Sequence, residues 1–253
     1  MRVVTFTTDF GTNDSYVASM KGIILSLVPY IQLIDITNNI EHQNVFHGSF
    51  VLSQSWKDFP KSTIHLGVVD PGVGGSRNRL IVETQGHYFV GPDNGLFGFT
   101  TPFGDSKFWR IKDEIISSKV SLTFEGRDIF APIVGRLLQG VLPNELGSPL
   151  EAIQTLEIPQ PKMEKQKAIG EIIHVDHFGN LITNFVPNRV PQKATIWVGN
   201  QKIGPMVGTY SDVPKDKPVV LWNSSNRLEI GVRNGSARKK LKAKVGTKVV
   251  IKW

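Results

Sequence analysis

Asp70 and Arg77 flank a glycine-rich turn in Val68-Val69-Asp70-Pro71-Gly72-Val73-Gly74-Gly75-Ser76-Arg77, which sets a carboxylate beside a guanidinium. The carboxylate can accept a proton or orient a water molecule, and the guanidinium can hold it or offset developing charge. Taken alone, an Asp-Pro stretch closed by glycines reads better as a plain turn. The same grammar recurs, however: Val3 to Thr7 runs into Thr8-Asp9-Phe10-Gly11, and His87 to Val90 runs into Gly91-Pro92-Asp93-Asn94-Gly95. A further stretch, Thr123-Phe124-Glu125-Gly126-Arg127-Asp128, leads into the apolar segment Ile129 to Leu138, where Pro132 suits an early helical position. Repeated acidic, glycine-bearing loops after apolar runs point to a shared ligand site.

Loops of this kind need a sheet that presents them along one edge. The β-branched run Ile64 to Val69 reads as a buried strand, and α/β sheets take ligands beyond the carboxyl ends of their strands. After the first strand, Asn13 or Asp14 can cap a helix with Tyr16, Met20, Ile23, Ile24 and Leu27 at helical spacing until Pro29. Ile31 to Ile36 reads as a strand, and Val45, Phe46, Phe50, Ser53 and Trp56 share one face of a second helix before Pro60. This alternation predicts a mainly parallel α/β domain over residues 1–156. The charged, proline-bearing stretch 157–168 reads as a linker. Over 169–253 the β-like runs Gly170 to Val175, Leu181 to Phe185, Ala194 to Val198, Val219 to Trp222, Leu228 to Val232 and Lys248 to Ile251 predict a smaller all-β, barrel-like or sandwich domain.

Composition narrows the function. With 40% hydrophobic residues in 253, the chain has enough apolar material for a globular core. No run approaches the ~18 apolar residues of a membrane span, and the sequence starts directly with strand-like residues, so a cytoplasmic protein without membrane partners is expected. The absence of cysteine rules out disulfides and cysteine-ligated zinc. A formal net charge of +7 raises nucleic acid as a partner, but the densest basic run, Arg238 to Lys244, carries no aromatic residue for base stacking and reads as solvated surface. Dinucleotide and phosphate-loop fingerprints are incomplete or missing, and neither His42 with His47 nor His174 with His177 has strong metal-ligand spacing, so no metal is expected. In the second domain, Asp176-His177-Phe178-Gly179-Asn180-Leu181-Ile182-Thr183-Asn184 gathers a carboxylate and two amides around a glycine. Amides suit the edges of heterocycles, although a hairpin turn uses the same residues. Asn223-Ser224-Ser225-Asn226-Arg227-Leu228-Glu229-Ile230 is another polar cluster feeding a strand.

Taken together, TTDFGTNDSYVASMKG, VVDPGVGGSR, GPDNGLFG, TFEGRDIFAP, VDHFGNLITN, GTYSDV and NSSNRLEIGV resemble the S-adenosylmethionine hydroxide adenosyltransferase family, the adenosine-forming S-adenosylmethionine hydrolases. The fluorinating and chlorinating enzymes that use the same substrate are similar too. The motifs follow the family's order and span nearly the whole chain. The resemblance implies an N-terminal α/β domain and a C-terminal β domain assembled as a homotrimer with sites between subunits. It implies displacement of methionine from the ribose 5′ carbon by water or hydroxide, with no metal or organic cofactor.

Carried over by motif, the resemblance assigns Asp9 to the ribose hydroxyls, Asn180 to the adenine edge, Asp176 to the methionine amine and Tyr210 to a stack on adenine. Phe124 falls near the ribose, Ser224 near methionine, and Tyr16 in the first ligand loop. Asp70 and Arg77 match two members of the family's catalytic aspartate, arginine and histidine, while Glu125 stands where the histidine falls. One reading is a carboxylate pair, Asp70 and Glu125, whose repulsion raises one pKa so that it accepts a proton from water while Arg77 offsets the remaining charge. The alternative is a non-catalytic S-adenosylmethionine or adenosine binding protein. Halide transfer is disfavoured, because these carboxylates repel an anion.

Overall fold

The computed structural model describes residues 2–187, 191 and 193–253. The chain divides into two compact units, Met1–Leu156 and Glu157–Trp253. The first unit runs β1 (Val3–Thr8), α1 (Tyr16–Leu27), β2 (Gln32–Thr37), α2 (Val45–Ser55), β3 (Ile64–Val68), β4 (Arg79–Thr84), β5 (His87–Pro92), β6 (Lys107–Ile111), α3 (Ala131–Leu138), α4 (Pro143–Leu146) and β7 (Gly147–Leu150). Its sheet has the order β2-β1-β3-β5-β4-β6-β7. Parallel pairing joins β2, β1, β3 and β5, and antiparallel pairing carries the sheet on through β4, β6 and β7. Helices α1 and α2 carry the chain between β1, β2 and β3, whereas β5 becomes parallel to β3 through the intervening antiparallel β4 and the tight turn from β4 to β5. Because β1, β3 and β5 run the same way, the loops carrying Asp9, Asp70 and Asp93 leave one edge of the sheet.

Alternation sends successive strand residues to opposite faces. Val68, Ile81 and Val90 pack with Met20, Ile24, Phe130 and Val134 on one face. Val69, Leu80, Val82 and Phe89 pack with Leu52, Trp56 and Phe97 on the other. Burying each such large side chain contributes about 1.5–3 kcal/mol. Polar side chains also lie inside the sheet: His65 Nδ1 is 2.7 Å from Thr5 Oγ1, and its Nε2 is 3.2 Å from His87 Nδ1. Burial, reinforced by His87, lowers the His65 pKa to about 3.

The helix after β1 starts later than the expected caps Asn13 and Asp14. Its N-cap is Ser15, which makes no side-chain capping bond. The second helix begins at Val45 behind Asn44, whose side chain accepts the His47 N–H, and runs into a 3₁₀ turn at Trp56–Asp58.

The second unit comprises β8 (Lys162–Glu164), β9 (Lys167–Val175), β10 (Leu181–Thr183), β11 (Thr195–Val198), β12 (Gln201–Gly204), β13 (Pro218–Trp222), β14 (Leu228–Val232), α5 (Ala237–Leu241) and β15 (Lys248–Lys252). The order β12-β11-β15-β9-β10-β14-β13, with β8 on β9, is antiparallel throughout. A 2.8 Å bond from Val207 N to Val220 O draws the two ends into a nearly closed barrel. Ile172, Leu181, Phe185, Ile196, Ile230 and Ile251 fill it. The stretch 157–168, expected as a linker, instead contains β8 and the start of β9. Every residue of β8 is exposed, so no apolar alternation marks it as a strand. In the basic run, the cations from Arg238 to Lys244 are exposed while Ala237, Leu241 and Ala243 are buried, as expected of solvated surface.

Candidate active site

β3 delivers Asp70 to the sheet edge, and the turn that follows brings Arg77 back onto it. Arg77 Nε donates to Asp70 Oδ1 at 2.8 Å and to Oδ2 at 2.9 Å, and its Nη2 donates to the same Oδ2. The turn depends on Gly74, which adopts φ +76°; a Cβ there would also lie 2.5 Å from the Leu122 carbonyl oxygen. That close approach packs the Asp70 loop against the segment leading to Glu125. Glu125 precedes a π-helical turn, Gly126–Phe130, which runs directly into α3.

The Glu125 side chain is only 1% exposed, and two guanidiniums grip it. Arg77 Nη2 donates to its Oε2 at 2.5 Å, while Arg79 donates to Oε1 through Nε at 3.1 Å and Nη2 at 2.6 Å. Burial by itself would push the Glu125 carboxyl up, but the hydrogen bonds and charges of Arg79 and Arg77 outweigh it and hold the pKa below its ordinary value. The expectation that Asp70 and Glu125 repel until one takes a proton therefore fails at Glu125, because Arg77 stands between the two carboxylates. Arg77 itself is held more firmly protonated: burial opposes its charge, but Asp70 and Glu125 prevail. Its Nη1 is buried and has no hydrogen-bond partner among the described residues.

Other loops complete this end of the unit. Asp9 Oδ2 accepts the Gln43 N–H at 2.8 Å, and Thr8 Oγ1 donates to Asn38 Oδ1 at 2.9 Å. Asp9, Asn13, Asp14, Asn38 and Glu41 help line a cavity of about 510 Å³, which has carboxylates but no lysine or arginine in its wall. Phe10, Tyr16 and Phe124 pack mutually, with ring centroids 5.2–6.0 Å apart, and so join the Asp9 loop to the Glu125 loop. Asp93 and Asn94 act as braces: Asp93 accepts from Asn78 Nδ2 at 3.0 Å and Gln154 N at 2.8 Å, and Asn94 Nδ2 donates to the Val69 carbonyl.

The second unit has its own polar cluster. Asp176 Oδ1 accepts the Asn180 N–H at 2.8 Å, and Oδ2 accepts Asn180 Nδ2 at 2.9 Å, which leaves the amide oxygen of Asn180 outside this pair. Gly231 makes room for the group: a Cβ there would lie 2.8 Å from Tyr210 Cε1 and 3.0 Å from Asn180 Oδ1. Tyr210 donates its hydroxyl to the buried Glu229. Burial, the Glu229 bond and the neighbouring carboxylates Glu229 and Asp176 push the phenol pKa up, so Tyr210 stays protonated.

Residues 4–147 match the SAM hydroxide adenosyltransferase N-terminal domain, and residues 170–250 match the C-terminal domain of the same family. The chain belongs to the SAM hydroxide adenosyltransferase family. It is 38% identical over 197 residues to the (R)-S-adenosyl-L-methionine hydrolase of Methanocaldococcus jannaschii, covering 76% of this chain and 70% of that one. Its identity to the Thermus thermophilus protein of the same name is 32%, over 98% of this chain and 99% of the other. An uncharacterized conserved protein from Thermotoga maritima has the same fold, with a TM-score of 0.90 and 33% identity over all of both chains.

Within this family member, the structure brings Asp70, Arg77 and Glu125 into one hydrogen-bonded group and packs Phe124 with Tyr16 beside it. Tyr16, the first residue of α1, is 46% exposed, so it is not a core residue. Asp176, Asn180 and Tyr210 gather on the second unit. Ser224 stays outside that hydrogen-bonded group, in the exposed turn that Asn223 shapes by accepting the Ser225 and Arg227 N–H groups. Sequence reasoning passed over Arg79 and Glu229. The signal for Arg79 was its spacing of two from Arg77, which in extended chain sets both side chains toward the same neighbour. Glu229 stood in sequence only as a member of the polar cluster Asn223 to Ile230, with no role of its own.

Proposed function

We propose that this chain hydrolyses S-adenosyl-L-methionine to adenosine and L-methionine by in-line attack of water on the ribose 5′ carbon. The water oxygen bonds to that carbon, the carbon–sulfur bond breaks, and its electron pair leaves on sulfur as a neutral thioether while a proton passes to solvent. The sulfonium is already a good leaving group, so the main tasks are to position the water and strip it of bulk solvent. No metal or organic cofactor enters this scheme.

The observation that carries the reading is the Asp70–Arg77 pair with its unspent donor. Asp70 is fixed by Arg77, with Oδ1 receiving besides it only a long 3.3 Å bond from Gly72 N. That oxygen keeps acceptor capacity for a water, and the buried Arg77 Nη1 is a donor without a partner among the described residues. Glu125 joins the catalytic group as a fixed anion and not as the base. Asp9 takes the ribose hydroxyls, beside Phe124 and Tyr16; Asn180 reads the adenine edge with Tyr210 stacked on the ring; Asp176 and Ser224 hold the methionine portion. The acidic wall of the Asp9 cavity supports a cationic substrate. The reading includes a cytoplasmic homotrimer with sites at subunit interfaces, without membrane or specific nucleic-acid partners.

Incubation of the purified chain with S-adenosyl-L-methionine should release adenosine and methionine in equal amounts. Substrate returned intact, together with product once Glu125→His is made, would favour the binding-protein alternative.

A further inference from the structure

Resting on the hydrolase reading, we propose that Arg79 is a positioning residue for the reaction: it holds Glu125 as a fixed anion, and Glu125 holds the Arg77 guanidinium against Asp70. The alternation Asp70, Arg77, Glu125, Arg79 places each like charge beyond an opposite one. Arg77 reaches only Oε2 of Glu125, at 2.5 Å. A carboxylate 1% exposed also needs its second oxygen satisfied, and Arg79 supplies both bonds to Oε1. The alternative partner of Arg79, Asp113, is 3.5 Å away and 67% exposed, so solvent screens that contact. Strand pairing fixes the backbone of Arg79, which stands opposite Pro92 while the next residue, Leu80, stands opposite Arg110.

The charged groups facing Glu125 are Arg77 from the loop after β3 and Arg79 from β4, with Asp70 and Asp113 beyond them. On its own element, Arg127 and Asp128 are paired with each other at 2.6 Å. Without Arg79, Glu125 keeps its burial and loses one of two cations, so it takes up a proton at higher pH and releases Arg77.

The test is the pH profile of kcat for Arg79→Met, Arg79→Lys and the double variant Arg79→Met with Glu125→Gln, each checked for folding by circular dichroism. In Arg79→Met the acid limb should move up by about one pH unit, with KM changed by less than about twofold. Arg79→Lys should keep the native limb, and the double variant should lose the displaced one, because nothing at position 125 then titrates. An unmoved limb, or the same loss of kcat at every pH, overturns the proposal. Carbon NMR of the Glu125 carboxyl separates its failure from failure of the hydrolase reading. An upward move of that titration in Arg79→Met supports the pairing even in a chain that leaves the substrate unconverted, and an unmoved titration overturns it even in one that converts it.

Discussion

In the first unit Asp70 and Glu125 each face a guanidinium, whereas in the second unit Asp176 faces an amide and Glu229 a phenol. The first cluster is charge-balanced within itself. Its carboxylates are held by arginines, so it suits the fixing of one small neutral molecule such as water. The second cluster keeps two formal negative charges with no cation hydrogen-bonded to either among the described residues, so it suits a ligand that brings a positive amine or sulfonium and a heterocycle edge. On the proposed function, the first cluster carries the reaction and the second the recognition.

The largest expected effect comes from the balanced cluster. Asp70→Asn should lower kcat by about 10²–10⁴-fold while KM changes by less than about threefold, as read from initial rates of adenosine release. Asn180→Ala should act in the opposite sense, weakening substrate binding about 10–100-fold in calorimetry while saturating kcat stays near native. Should Asn180→Ala lower kcat and spare affinity, the division of labour between the clusters is wrong. Tyr210→Phe keeps the ring but removes the donor to buried Glu229, and a loss of affinity of about tenfold is expected.

A separate effect is on stability in acid. Burial depresses the folded pKa of His65 to about 3, so the unfolded chain binds the extra proton below 6.5. Stability therefore falls as pH drops from 6.5 toward 3, by about 1.4 kcal/mol per pH unit for that proton. Glu125, with its folded pKa lowered below 4.5, adds a second loss that begins only as pH falls through that value. Urea titrations across this range should show the early phase flattened in His65→Phe and the late phase flattened in Glu125→Gln. Coincident phases in both variants would mean that neither group is held as described.

The loops could be read from the sequence because acidic and glycine residues interrupt apolar runs at strand ends; Asp70 and Arg77 lie in such a loop, and Glu125 lies in a similar acidic, glycine-bearing stretch where a helix begins. The charge state of Glu125 could not, since it depends on Arg79, which in sequence is an ordinary first residue of a strand. Periodicity located α1 and α2 because each buries one face. It missed β8, all exposed, and β12, whose residues are exposed or half-buried, because strands without a buried face leave no alternation to detect. The Asp176–Asn180 turn was visible as a motif. Its link to Tyr210 was not, because that link needs β14 to bring Gly231 beneath both side chains.

The central claim is that solvent oxygen ends on the sugar. Turnover of S-adenosyl-L-methionine in ¹⁸O-enriched water, with mass spectrometry of both products, tests it most directly. The account predicts one ¹⁸O atom in adenosine, at the 5′ hydroxyl, and unlabelled methionine. Adenosine formed without label, or substrate recovered unchanged after prolonged incubation with folded protein, would contradict it.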